Sequence, residues 1–151
     1  MLRITKMTDY AVLILSNLAT HGENFLTAKE IASETHISLP TTQKILKKLS
    51  RKKLVISKQG ASGGYALYDN TKNLSIALLL GVLDGELSIT QCSSDDDKCQ
   101  VEDFCNIGNA WQMINQRVLW ALNDITLIDL IHPTRIEQFI STNIPVSRRN
   151  H

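Results

Sequence analysis

Three cysteines, Cys92, Cys99 and Cys105, fall within fourteen residues and are the only cysteines of the 151-residue chain. Between them stand mostly small, polar or acidic residues, Ser93, Ser94, Asp95, Asp96 and Asp97 among them, a composition that builds no apolar core. Disulfide pairing would leave one thiol over, and no N-terminal apolar stretch marks the chain for export. Buried structural thiols would sit badly beside three consecutive aspartates. A metal or cluster site fits, because thiolates are soft ligands for zinc, iron and iron–sulfur centres. A redox switch and thiols without a role stay open as alternatives. A closed tetrahedral site takes four ligands, so the loop's three would need a fourth from elsewhere.

Other chemistry is thinly supplied. There is no C-x-x-C pair, no phosphate-cradling loop and no Ser/His/Asp or Cys/His constellation at fixed spacing, which argues against an enzyme with a small-molecule substrate. His21, His36, His132 and His151 are scattered and read as surface or turn residues. The Asp95–Asp97 run lacks the alternating ligand positions of a calcium loop and reads as a solvated tip.

The elements that would position the cysteines are mainly helical. Leu2, Met7, Tyr10, Ala11, Leu13, Ile14 and Leu18 have helical spacing, with Thr8 or Asp9 near the start and His21-Gly22 as the stop. Thr27 and Glu30 form a capping-box pair ahead of a second helix, Ala28 to Glu34. After His36-Ile37-Ser38, a third helix is predicted from Leu39 to Lys53, with Ile45, Leu46 and Leu49 inward and Pro40 in its first turn. Two short helices joined by a three- or four-residue turn describe a helix-turn-helix. Leu54 to Lys58 and Tyr65 to Tyr68 read as strands around a tip with three glycines, the wing of a winged helix. The alternative is a helix pair beside an unrelated hairpin.

Ser75 to Leu83 is so apolar that burial is expected. Beyond the cysteines, Asn109 to Asp124 forms a rod of roughly 24 Å. Trp111, Ile114, Val118, Ala121 and Ile125 recur at steps of three and four on it, with Met113 and Trp120 on a neighbouring stripe. Two stripes exceed what one small domain buries, so one is expected to face a second copy, and the stripe from Trp111 to Ile125 is the expected dimerisation surface. A broad core-facing stripe in a monomer is the alternative. Thr126 to Ile131 reads as a small capped helix, and the pattern fades after His132-Pro133. The organisation expected is a winged helix over 1–72, a cysteine loop and dimerisation helix over 73–131, and a C-terminal extension over 132–151.

Composition sets the class of partner. Hydrophobic content of 43% with 21% charged residues is that of an ordinary globular protein. The longest apolar run is too short to cross a bilayer, so a cytoplasmic protein without a membrane partner is expected. The net charge of +1 hides an asymmetry: residues 1–68 carry ten Lys/Arg against four Asp/Glu, and 69–151 carry six against eleven. A basic first half suits the phosphates of double-stranded DNA. Lys44, Lys47, Lys48, Arg51, Lys52 and Lys58 are the candidate phosphate contacts, with Thr41, Thr42 and Gln43 able to reach base edges.

The opening LRITKMTDYAV, the segment ISLPTTQKILKKL, the wing GASGGYAL, the three cysteines and the C-x5-W from Cys105 to Trp111 resemble the Rrf-type regulators, the IscR- and NsrR-like group. The resemblance covers roughly residues 1–131. It implies a homodimeric, cytoplasmic winged-helix transcription regulator with a 2Fe-2S or 4Fe-4S cluster on Cys92, Cys99 and Cys105. The phrases MLRITKMTDYA and CNIGNAWQMIN resemble the proteobacterial regulators of SUF iron–sulfur assembly genes. Two departures stand out. IscR-like members place a histidine ligand three residues after the last cysteine, where this chain has Gly108. NsrR-like members use a first-helix aspartate donated across the dimer, and Asp9 matches it, so the resemblance implies Asp9 of the partner subunit as fourth ligand. In the wing, IscR-like members carry a minor-groove arginine where this chain has Gln59, beside Lys58. A two-fold dimer implies a pseudo-palindromic operator with half-sites about a helical turn, or a multiple of it, apart.

Overall fold

The computed structural model describes residues 4–85, 87–90, 106–132 and 137. Among the described residues the named elements succeed one another in order: α1 (Lys6–Thr20), α2 (Ala28–Thr35), α3 (Leu39–Arg51), β1 (Val55–Lys58), β2 (Gly64–Leu67), the 3-10 turn Thr71–Asn73, α4 (Ile76–Asp84), α5 (Gly108–Asn123) and α6 (Leu127–Leu130).

Local chemistry accounts for most boundaries. Thr5 caps α1, its hydroxyl oxygen accepting from Thr8 N at 3.2 Å. That corrects the expected start at Thr8 or Asp9: Thr8 is buried inside the helix and Asp9 stands exposed in its first turn. The capping box of Thr27 and Glu30 forms as the sequence indicates, the Glu30 carboxylate accepting from Thr27 N at 2.7 Å. That acceptance, led by the Thr27 hydroxyl, holds the Glu30 carboxyl below its ordinary value. His36 turns the chain between α2 and α3 with a left-handed backbone, φ 56°. Ser75 caps α4, and Thr126 with Asp129 forms a second capping box at α6.

The hairpin is antiparallel, Val55 opposite Leu67 and Ser57 opposite Tyr65. Leu26 adds an isolated bridge to Tyr65, so the wing base is fastened to the linker between α1 and α2. Gly64 is required there: a Cβ would lie 2.5 Å from the Leu26 carbonyl oxygen, at φ +153°.

A single apolar cluster holds the elements together. Ile14, Leu15 and Leu18 of α1, Ile31 of α2, Ile45, Leu46 and Leu49 of α3, Leu79, Leu80 and Leu83 of α4 and Leu127 of α6 are all buried in it. Because α4 and Leu127 share this core with α1–α3, the winged helix packs continuously against α4 and α6. Helix α4 is less enclosed than its composition suggests, since Leu78 is 51% exposed.

Helices α4 and α5 run side by side. The start of α4 is tied to the end of α5: Ile76 N donates to Ile125 O at 2.8 Å, and the Ser75 hydroxyl donates to Asn123 Oδ1 at 2.9 Å. At the opposite end, Ile89 N donates to the buried Asn115 side chain at 3.0 Å. In sequence, α4 precedes and α5 follows the chain interval that contains the cysteines.

Candidate nucleic-acid interface and the frame of the cysteine loop

Helix α3 is amphipathic. Thr42, Ile45, Leu46 and Leu49 point into the core, while Gln43, Lys44, Lys47 and Arg51 are exposed on the opposite side. Four positions of cationic or amide character on successive turns of one helix face form a surface able to track a phosphate backbone and reach into a groove. Between that face and the wing lies an open groove lined by Gln43, Lys47, Ser50, Arg51, Ser57 and Tyr65. Ser50, Ser57 and Tyr65 are absent from the sequence-derived candidates. The signal for the last two was the period-two alternation of the hairpin, which places Ser57 and its partner Tyr65 together on one wing face.

Two residues of the expected interface are corrected. Thr42 is fully buried, its hydroxyl directed to the carbonyls of Ser38 at 3.2 Å and Ile37 at 3.4 Å. It fastens the first turn of α3 and cannot reach a base edge. Lys48, half-buried on the flank of α3, donates from Nζ to the carbonyl oxygen of Leu83 at 2.7 Å. It leaves the set of cations that face outward. Thr41 is half-buried and accepts from the Ser38 hydroxyl at 2.8 Å. Lys52 is exposed at the end of α3. Lys58 lies on the other wing face, its ammonium 5.8 Å from the centre of the Phe25 ring, and Gln59 is exposed at the wing tip.

Helix α5 buries a narrow stripe: Asn115 is buried, and Val118, Leu119 and Leu122 are half-buried. Its remaining apolar residues stay open to solvent, Met113 at 61%, Trp120 at 53% and Ile114 at 43% exposed, with Trp111 and Ala121 also exposed. Met113, Ile114, Arg117, Val118 and Ala121 line a shallow apolar groove along the helix. Ile125 is corrected: it lies beyond the end of α5, half-buried, and packs on the core. So the outward face includes Met113 and Trp120 along with most of the expected stripe.

Cys92, Cys99 and Cys105 lie outside the described residues. Among the described residues no group of three or more His, Cys, Asp or Glu is placed to hold a metal ion. Also among them, no helix is long and apolar enough to cross a membrane.

The family profile described as an iron-dependent transcriptional regulator, Rrf2, matches residues 4–133. The regulator IscR of Pectobacterium atrosepticum is 28% identical over 132 residues, which span 87% of this chain and 80% of that protein. IscR of Vibrio cholerae is 30% identical over 131 residues, 86% of this chain and 75% of that protein. Among solved structures, CymR (YrzC), the global cysteine regulator of B. subtilis, superposes with a TM-score of 0.68 at 28% identity, covering 87% of this chain and 98% of its own. IscR of T. potens superposes with a TM-score of 0.67 at 25% identity, covering 91% of each chain. The winged helix, its basic outward face and the match across nearly the whole described chain have one reading: the protein belongs to the Rrf2 family of transcriptional regulators and is similar to IscR.

Proposed function

We propose that this protein is a homodimeric DNA-binding regulator, a repressor, that senses iron–sulfur status through a cluster on Cys92, Cys99 and Cys105 and controls SUF-type iron–sulfur assembly genes. The observation that carries the reading is the position of the three cysteines. They fall in the interval between Thr90 and α5, in a chain that matches the iron-dependent regulator family over residues 4–133.

The donor set suits the group. Three thiolates are soft ligands for iron. Gly108 brings no side chain, so a histidine cannot serve from that place. Asp9 is exposed, and the capping of α1 falls to Thr5, which leaves the Asp9 carboxylate available to the partner subunit's loop. A bound cluster would supply a redox-labile, iron-dependent state. Gln43, Lys44, Lys47 and Arg51, with the wing, would bind the operator. The exposed apolar face of α5 would pair with a second copy, and two related readers would meet a pseudo-palindromic site. The boundaries 1–72, 73–131 and 132–151 divide the reader, the sensor with its pairing helix, and a tail. The cluster-bound form would repress, and cluster loss would relieve repression.

The test is anaerobic purification with iron and sulfide counting, then a DNA shift with and without the cluster. Brown protein bearing both elements, whose affinity for DNA changes on cluster removal, is expected. Colourless, zinc-bearing protein would overturn the sensing account and leave only the DNA reader. Asp9→Ala should alter the cluster spectrum, and an unchanged spectrum removes Asp9 from the ligand set.

A further inference from the structure

The contact between Lys48 and Leu83 joins two elements that the chain keeps 35 residues apart. Leu83 lies in the last turn of α4, where the final carbonyls have no partner within the helix. The last turn of α4 carries no basic residue of its own, and Asp84 closes it. An ammonium at that end satisfies an orphan carbonyl and complements the negative pole of the helix dipole. Here the cation comes from the recognition helix. Lys48 is also the one cation among Lys44, Lys47, Lys48 and Arg51 that is half-buried rather than exposed.

The segment after α4 makes that contact consequential. Ile89, six residues beyond Leu83, donates its N–H to the buried Asn115 of α5, and Cys92 comes three residues after Ile89. The stretch leading into the cysteine interval is thus held at one end by α3 and at the other by α5. We propose that Lys48 is a positioning residue, a latch that ties the recognition helix to the carboxyl end of α4 and so transmits the state of the cysteine loop to the DNA-reading face. The transmission rests on the proposed cluster sensing by the three cysteines; the latch itself does not.

The two roles open to Lys48 differ in salt dependence. A lysine that neutralises a phosphate contributes about 0.9 to the slope of log affinity against log salt, and its removal lowers the slope by that amount. A latch contributes nothing to it. Full-length wild type, Lys48→Met and Lys48→Arg are compared, each with and without the cluster, on a duplex selected from a random library by the wild-type protein. For Lys48→Met the salt slope should match wild type, while the affinity ratio between cluster-loaded and cluster-free protein should fall to within about two-fold of unity. Lys48→Arg, which keeps a cation and donors on a long stem, should restore most of the ratio. A slope reduced by about 0.9 with the ratio intact would make Lys48 a phosphate contact and overturn the latch.

Hydrogen exchange supplies a readout that needs no cluster. In cluster-free protein, Lys48→Met should speed exchange at Gly85 and at Leu87 to Thr90 while leaving α1 unchanged. Unaltered exchange there overturns the latch. Should wild type bind DNA equally with and without cluster while the variant shows this faster exchange, the latch stands and the sensing reading falls.

Discussion

Thr42 and Gln43 are neighbours on α3, and both have the chemistry to read a base; the fold buries Thr42 and leaves Gln43 exposed. Thr42→Val removes a hydroxyl that is wholly buried and bonded to the carbonyls of Ser38 and Ile37. At 3.2 and 3.4 Å these bonds are longer than the usual 2.7–2.8 Å for a hydroxyl donor. Their net worth therefore falls in the lower part of the ordinary range, about 0.5–1 kcal/mol. The methyl group of valine fills the volume of the hydroxyl, so no cavity term is added. For a chain of this size that loss lowers the melting temperature by about 1–4 °C. Base preference should not change. Gln43→Ala is the reverse case. The exposed side chain supports little stability, but an amide paired with a base edge discriminates by about 1–3 kcal/mol, or roughly 5- to 150-fold in affinity. Thermal melts by circular dichroism and anisotropy titrations against a panel of single-position duplex variants separate the two. If Thr42→Val relaxes base preference at one position and leaves the melt untouched, the burial argument is wrong.

Other consequences are more direct. Leu79→Ala, in the middle of the shared core, should cost about 2–5 kcal/mol in chemical denaturation, and a loss under about 1 kcal/mol would mean that α4 is not part of the cooperative unit. Trp120→Glu together with Met113→Glu places charge on the outward face of α5 and should shift the proposed dimer to monomer by light scattering, with the helical circular dichroism spectrum preserved. A second copy seated elsewhere would leave the dimer intact. The Glu34 carboxyl accepts from Asn17 at 2.7 Å and meets His21 at 2.8 Å, and these contacts hold it below its ordinary value of 4.5. A depressed folded value means the contribution to stability is present above the ordinary carboxylate range and is lost as pH falls through the lowered value. Glu34→Gln should flatten that acid limb in melts taken across low pH, and an unchanged limb would show the cluster to be inert. Gly64→Ala should disturb the wing, since the new Cβ meets the backbone of Leu26; dispersed amide shifts confined to the hairpin and Leu26 are expected, and a spectrum identical to wild type would contradict the close approach.

The order of elements was legible because its signals are local. A capping box at Thr27 and Glu30, helical spacing over α1 and α3, and glycines between two short apolar runs each depend on residues within a turn or two of one another. The cysteine spacing and the Asp9 match were likewise plain in one dimension, although the loop itself lies outside the described residues. The one-dimensional pattern could not rank the flanks of each helix. Lys48 and Lys47 are adjacent and chemically identical; only the arrival of α4 beside α3 gives Lys48 a carbonyl to bond and leaves Lys47 for solvent. Ile125 continues the heptad-like stripe of α5 in sequence, yet the helix ends at Asn123 and the turn into α6 carries Ile125 back to the core. Asn115 gave no sign of burial, because an asparagine on a helix is tolerable inside only when a distant N–H, here that of Ile89, reaches it. Residue type and spacing determined the helices and the hairpin, since those arise from short-range backbone and side-chain preferences. Which polar side chains stay exposed and which bind the protein to itself was decided by contacts between elements far apart in the chain, where burial sets the cost of leaving a donor or acceptor without a partner.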